Sequence, residues 1–211
     1  MARRKSKQVD RSQFLERLVI FILLLALGLA FYFNYLAERL QASSGKLGEF
    51  DVLDGARLID HGANDGDSFH VRHDGEEFVF RLYYVDCPEK HAHRYTERLA
   101  DQAKYFGGLS EAEVVELGLE AEVFVEDLLL GAEFSVVTRW EGVYDSGRYY
   151  AFVRVGGRLL SELLVERGLA RIHTRGVDLP EGKKFKQQRD HLRELEEQAR
   201  SARLGAWRDW D

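Results

Sequence analysis

Residues 65–89 read DGDSFHVRHDGEEFVFRLYYVDCPE, and their periodicity decides the fold. Phe69 and Val71 alternate with polar neighbours, and Phe78, Phe80 and Leu82 keep the same spacing of two. Successive side chains of a strand point to opposite faces, so this pattern predicts two strands, each with an apolar face. Asp74-Gly75 stands between them and accepts the positive φ of a two-residue turn, which predicts a hairpin.

Outward from there the signals alternate between strand and helix. A second hairpin is expected where Phe134–Arg139 meets Arg148–Val155 through Tyr144-Asp145-Ser146-Gly147, with Gly156-Gly157 as a further turn. Val114, Leu117, Ala121, Phe124 and Leu128 recur at three and four, one face of a helix. Leu159, Leu160, Leu163 and Leu164 repeat that spacing before Gly168, and Leu192, Leu195, Ala199 and Ala202 form a stripe that ends near Gly205. Residues 90–107 are read as a further helical stretch closed by Gly107-Gly108. Short strands and packed helices in this order predict an α+β domain built on a small barrel.

The first 48 residues follow other rules. Leu18 to Ala37 reads LVIFILLLALGLAFYFNYLA, without a charge. As a helix it would span roughly 30 Å, the thickness of a bilayer core. Arg3, Arg4, Lys5, Lys7, Arg11 and Arg17 precede it, against only Asp10 and Glu16. The positive-inside rule then puts 1–17 in the cytoplasm, 18–37 across the membrane, 38–48 in a linker, and the domain 49–211 on the far side. The competing reading is a signal peptide cleaved near Gly28-Leu29-Ala30, which leaves the domain secreted. Both readings export it, and the short inside segment fits a bacterial inner membrane.

Composition narrows the function classes. With 45% hydrophobic and 31% charged residues the chain is globular rather than disordered. A lone cysteine, Cys87, excludes an internal disulfide. The formal net charge is −6; since residues 1–17 sum to +4, the rest carries −10. That argues against an extended basic nucleic-acid interface, but not against a local site that grips one phosphate.

Three segments concentrate unusual polar content: Asp65-Gly66-Asp67-Ser68, then Arg81 to Glu89, then Ser146-Gly147-Arg148. Aspartates from separate segments can supply hard oxygens to Ca²⁺. Two arginines can hold a phosphate by bidentate hydrogen bonds. A nearby glutamate can orient or deprotonate water. Together they describe phosphodiester hydrolysis. Singly each has a plainer reading: a strand-leading turn, a surface ion pair, a strand end before Pro88.

The series DGDSF, RLYYVDCPE, SGRYYAFV, GRLLSELLVERGLARI and LRELEEQARSARLGAW resembles the staphylococcal nuclease family, from about Ala56 to Trp207. The resemblance implies a five-stranded OB-fold barrel with about three packed helices. It implies Asp67 and Asp86 as Ca²⁺ carboxylate ligands, with the carbonyl of Cys87 as a third. It implies Arg81 and Arg148 at the scissile phosphate, Glu89 as general base, and cleavage of DNA or RNA to 3′-phosphate ends. The chain departs from the family where Cys87 replaces a threonine, where Asp145-Ser146 replaces a Lys-Tyr pair, and where Thr174 replaces a tyrosine. His173 and Arg175 lie within reach of substrate in this reading. The stretch 91–116, which contains His91, His93, Arg94 and Arg98, is longer than in simple members; it is read as a surface helical insertion with solvated histidines, rather than a substrate-gating loop with the histidines near the metal. The alternative function is a non-catalytic OB-fold module that binds nucleic acid or protein at the membrane.

Overall fold

The computed structural model describes residues 44–92 and 96–210, together with helical positions at 20, 21, 24, 25, 28, 29 and 32. The chain forms two units, Met1–Ala42 and Ser43–Asp211. The basic segment 1–17 and most of the expected anchor 18–37 lie outside the described residues. Ile20, Phe21, Leu24, Leu25, Leu29 and Tyr32 are helical and exposed. Among the described residues no helix is long and apolar enough to cross a membrane.

The second unit is built on a closed barrel. Its strands are β1 (Ser44–Leu47), β2 (Phe50–Leu58), β3 (Ser68–His73), β4 (Glu76–Leu82), β5 (Val85–Asp86), β6 (Phe134–Gly142), β7 (Tyr149–Val155), β8 (Arg158–Leu159) and β9 (Arg171–Ile172). Hydrogen bonding runs β2-β3-β4-β7-β6 and returns from β6 to β2, so five strands close on themselves. The β4–β7 pair is parallel and the other pairs are antiparallel. This is the expected five-stranded barrel.

Local chemistry explains the closure. Phe69 and Val71 of β3 and Phe80 of β4 are buried, as the period of two requires. The Asp74-Gly75 turn takes φ of 49° and 85°, the positive pair expected of that hairpin. Register shifts fall between Asp54 and Ala56 in β2 and between Thr138 and Gly142 in β6. Such bulges bend and twist a strand, which lets a five-stranded sheet curl into a barrel. Residues 44–47, read from sequence as linker, instead pair with β2 from Ser44↔Leu53 to Leu47↔Phe50.

The helices are α1 (Thr96–Tyr105), α2 (Glu111–Gly131), α3 (Leu160–Glu166) and α4 (Phe185–Ser201), with a 3₁₀ turn at Gly205–Trp207. The family resemblance implied about three; the fourth, α1, falls within the 90–107 stretch whose pattern was read as a further helix. α2 opens on a capping box in which the Glu113 amide donates to Ser110 Oγ and the Ser110 amide to the Glu113 carboxylate. Such a cap is worth about 1 kcal/mol. Leu117, Ala121, Val125 and Leu129 of α2 are buried in the barrel's core, while its Val114 forms a second small cluster with Leu99 and Ala103 of α1. Each fully buried leucine contributes about 1.5–3 kcal/mol.

Candidate active site

The loop before β3 begins the site. Asp65 Oδ1 accepts the amides of Asp67 (3.0 Å) and Ser68 (2.6 Å), an Asx turn that fixes the next carboxylate. The Asp67 carbonyl takes the Leu82 amide at 2.8 Å, and Ser68 pairs with Arg81 across the β3–β4 ladder. Asp67, 1% exposed, therefore sits beside Arg81, 6% exposed.

Arg81 gathers the two aspartates. Its guanidinium donates to Asp67 Oδ1 at 2.5 Å and to Asp86 Oδ1 at 2.6 Å. Asp86 ends β5, where it pairs with Arg171 of β9. Arg171 Nε donates to Asp86 Oδ2 at 2.7 Å, Gln102 Nε2 donates to the same oxygen at 3.0 Å, and Arg98 donates to Oδ1 at 2.5 Å. Four donors fill the acceptor positions of one carboxylate. Burial pushes Asp86 up, but Arg98, Arg81 and Arg171 together outweigh it and hold its carboxyl below the usual range. For Asp67 burial wins over Arg81, and its carboxyl is pushed up.

The hydroxyl of Ser68 ties in Arg148. It donates to Asp67 Oδ1 at 3.0 Å and accepts from Arg81 at 3.3 Å and Arg148 at 3.1 Å. The two arginines thus converge on one oxygen. Arg148 is steadied by Ser146 Oγ, which accepts its Nε at 3.2 Å and itself donates to the Val143 carbonyl.

After Asp86 the chain leaves the sheet. The Cys87 amide donates to Asp67 Oδ2 at 2.6 Å, and its carbonyl accepts from Gln102 at 3.0 Å. Burial pushes the Cys87 thiol up, so it stays protonated. Glu89 gives its amide to Gln102 Oε1 at 3.0 Å and pairs with Arg98 at 2.8 Å through Oε1. Burial raises the Glu89 carboxyl, with Arg98 pulling the other way.

Arg81, Asp86, Arg98, Arg148 and Arg171 of this network line an open cleft of about 1250 Å³ together with Arg175 and Arg189, while Asp67, Cys87 and Glu89 stand behind its lining. An acidic chain has concentrated six guanidiniums against four carboxylates there, Asp86, Glu97, Asp101 and Glu141. Tyr84 and Thr174, neighbours across β5 and β9, both hold positive φ, 74° and 65°. The Tyr84 carbonyl accepts the His173 amide and its amide donates to the Arg175 carbonyl, both at 2.9 Å. Strain of this kind is tolerated where surrounding structure fixes it, commonly at sites of function.

Of the residues expected from sequence, Asp67, Arg81, Asp86, Cys87, Glu89 and Arg148 form one connected network. His173 and Arg175 do line the cleft; burial and Arg171 lower the His173 pKa, and Arg175 pairs with Glu141. His91 is exposed, while His93 and Arg94 lie outside the described residues. The surface-insertion reading of 91–116 needs correcting. Its helix α1 buries Leu99 and Ala103, and turns Arg98 and Gln102 onto Asp86, Cys87 and Glu89. Sequence reasoning gave no role to Ser68, Gln102 or Arg171. The spacing of Arg98 and Gln102, four apart on a helix, was the available signal.

The oxygen types suit a hard cation: Arg81 bridges the carboxylates of Asp67 and Asp86, and Gln102 links Asp86 to the Cys87 carbonyl. Asp67 Oδ2 and the Cys87 carbonyl each show one donor and keep a free lone pair. Asp86 does not, because Arg81, Arg98, Arg171 and Gln102 already fill its two oxygens, so a cation fits there once one of these donors yields. The described residues contain no cluster of three histidine, cysteine or acidic side chains arranged for a metal. A single buried thiol, Cys87, is also a poor site for a soft metal.

Comparison with known families adds one finding. The family model described as staphylococcal nuclease homologue matches residues 79–209. That span includes Arg81, Asp86, Cys87, Glu89 and Arg148; Asp67 lies just before it.

Proposed function

Because this chain belongs to the staphylococcal nuclease homologue family, we propose that it is a Ca²⁺-dependent phosphodiesterase that cleaves DNA or RNA to 3′-phosphate ends. The observation that carries this reading is the convergence of Asp67, Asp86 and, through Ser68, Arg148 on the single guanidinium of Arg81.

Asp67, Asp86 and the Cys87 carbonyl hold the cation in this reading, and bound Ca²⁺ supplies positive charge to the phosphate oxygens. Arg81 and Arg148, which now share the Ser68 hydroxyl, close on the phosphate in its place. Glu89 takes a proton from the attacking water on its second carboxylate oxygen, while Oε1 stays paired with Arg98. The water oxygen bonds to phosphorus, the P–O5′ bond breaks, and the 5′-oxygen leaves as a hydroxyl with a proton from solvent water, to which Glu89 afterwards returns the one it took. Charge that builds on the phosphorane oxygens is met by the guanidiniums of Arg81 and Arg148, which the site already holds side by side.

The uncharged run 18–37 and the basic residues before it support a membrane anchor with the cleft on the extracytoplasmic side. Fractionation tests this part: the full chain should stay with membranes through high salt and leave only with detergent.

The activity is tested by incubating the full chain with plasmid, single-stranded DNA and RNA, in Ca²⁺ or chelator. Cleavage that needs Ca²⁺ and leaves 3′-phosphates, read by mass spectrometry, is the expected result. A folded chain that binds these polymers yet cleaves none with any divalent metal would instead be a binding module.

A further inference from the structure

We propose that α1 is a working part of the site, in which Gln102 and Arg98 are positioning residues that fix Glu89 relative to Asp86. This rests on the reading of the cleft as a phosphodiesterase centre. Segment 87–89 has no strand or helix to hold it, and Pro88 carries no amide hydrogen. Its two amides therefore need outside acceptors. Asp67 serves Cys87, and Gln102 Oε1 serves Glu89. The other end of the same Gln102 amide spans the Cys87 carbonyl and Asp86 Oδ2, both at 3.0 Å. One fully buried side chain thus makes three bonds, all to residues 86–89.

Arg98 lies one helical turn earlier on the same face. Its two terminal nitrogens go to different acids, one to Asp86 and one to Glu89. A planar fork held this way sets the spacing between two carboxylates, which a flexible ammonium does less well. The adjoining side of α1 anchors the arrangement, since Leu99 and Ala103 pack with Val114 of α2. α2 backs the segment from behind. A Cβ on Gly118 would stand 2.7 Å from both the Pro88 and Glu89 carbonyl oxygens, so only glycine lets the helix approach so closely. No barrel strand contributes a hydrogen bond to the Glu89 side chain among the contacts described; its orientation comes from α1. Misplacing a reacting group by about 1 Å costs on the order of 100-fold in rate.

The test uses the full chain with Gln102→Met, Arg98→Met and Arg98→Lys. Steady-state kinetics on one oligonucleotide are run beside amide hydrogen exchange over residues 86–90 and over α2. Gln102→Met should lower kcat about 30- to 100-fold while KM stays within about threefold. The Glu89 amide should exchange faster, with α2 still protected. Arg98→Lys should keep part of the kcat that Arg98→Met loses. Unchanged kcat and exchange in Gln102→Met overturn the proposal. So does a raised KM at constant kcat, which would make α1 a substrate-binding surface, or a loss of kcat that follows loss of α2 protection. If the parent chain cleaves nothing, the phosphodiesterase reading fails, and the Glu89 exchange alone decides the positioning.

Discussion

The strands and helix α1 bring polar groups to the same few atoms by different means. Asp67, Arg81, Asp86 and Arg148 stand at or beside the ends of β3, β4, β5 and β7, where ladder hydrogen bonds set their register. A slip of one residue there would turn every side chain to the other face, so the positions are tightly specified. Arg98 and Gln102 are held differently, by apolar packing on the neighbouring side of their helix and by Tyr105 at its end. The Tyr105 hydroxyl donates to Glu196 of α4 at 2.5 Å and accepts the Ile172 amide of β9 at 3.2 Å. The contrast teaches that one half of the site is fixed by backbone and the other by side chains, so the two should fail separately.

Arg81→Ala should break both halves at once. It leaves Asp67 and Asp86 buried without the cation they share, a change that typically costs about 3–5 kcal/mol. Activity should fall at least about 1000-fold, read by oligonucleotide cleavage, with the stability loss read by urea titration. Arg148→Ala sharpens the contrast, because Arg148 is only half-buried and its bonds go to hydroxyls alone. Its kcat/KM should drop about 100-fold while stability moves by less than about 0.5 kcal/mol. Gly118→Ala attacks the packed side only. The new methyl meets backbone rather than a flexible side chain, so about 1–3 kcal/mol of stability should go, together with part of kcat, while the barrel's own amides keep their exchange protection.

The smallest effect concerns Tyr105→Phe, which should cost about 1 kcal/mol near neutral pH. Burial and Glu196 push the Tyr105 phenol up to about 12 from 10.0. A raised pKa means the folded state holds the proton more tightly. The stability this provides is complete below pH 10 and drains away as pH climbs toward 12. Denaturant midpoints across that range should fall more steeply for the parent chain than for Tyr105→Phe.

How much of this was legible in the sequence follows the same division. The barrel was readable because Phe69, Val71, Phe78, Phe80 and Leu82 repeat at the strand period, and because Asp74-Gly75 allows one kind of turn. The strand-borne residues were readable because their motifs are short and local. Ser68 was quoted within DGDSF but given no role, since a hydroxyl gains meaning only when two arginines arrive from distant strands. For Gln102 the spacing of four from Arg98 was the one signal, and it was too weak alone: an uncharged amide on a charged helix looks solvated, and only the docking of Leu99 and Ala103 shows which face turns inward. Arg171 was hidden for a similar reason, because its partner lies 85 residues away.

β1 has a mechanical consequence. Its four residues zip antiparallel onto β2, and β2 in turn carries the bonds that close the ring to β6. A pull on the chain upstream of Ser44 is therefore received first by four pairs that can peel in sequence, beginning at Ser44↔Leu53. The ring gives way only after that sacrificial flap is spent, so tugging on the leading end leaves the arginine-lined cleft undistorted until then.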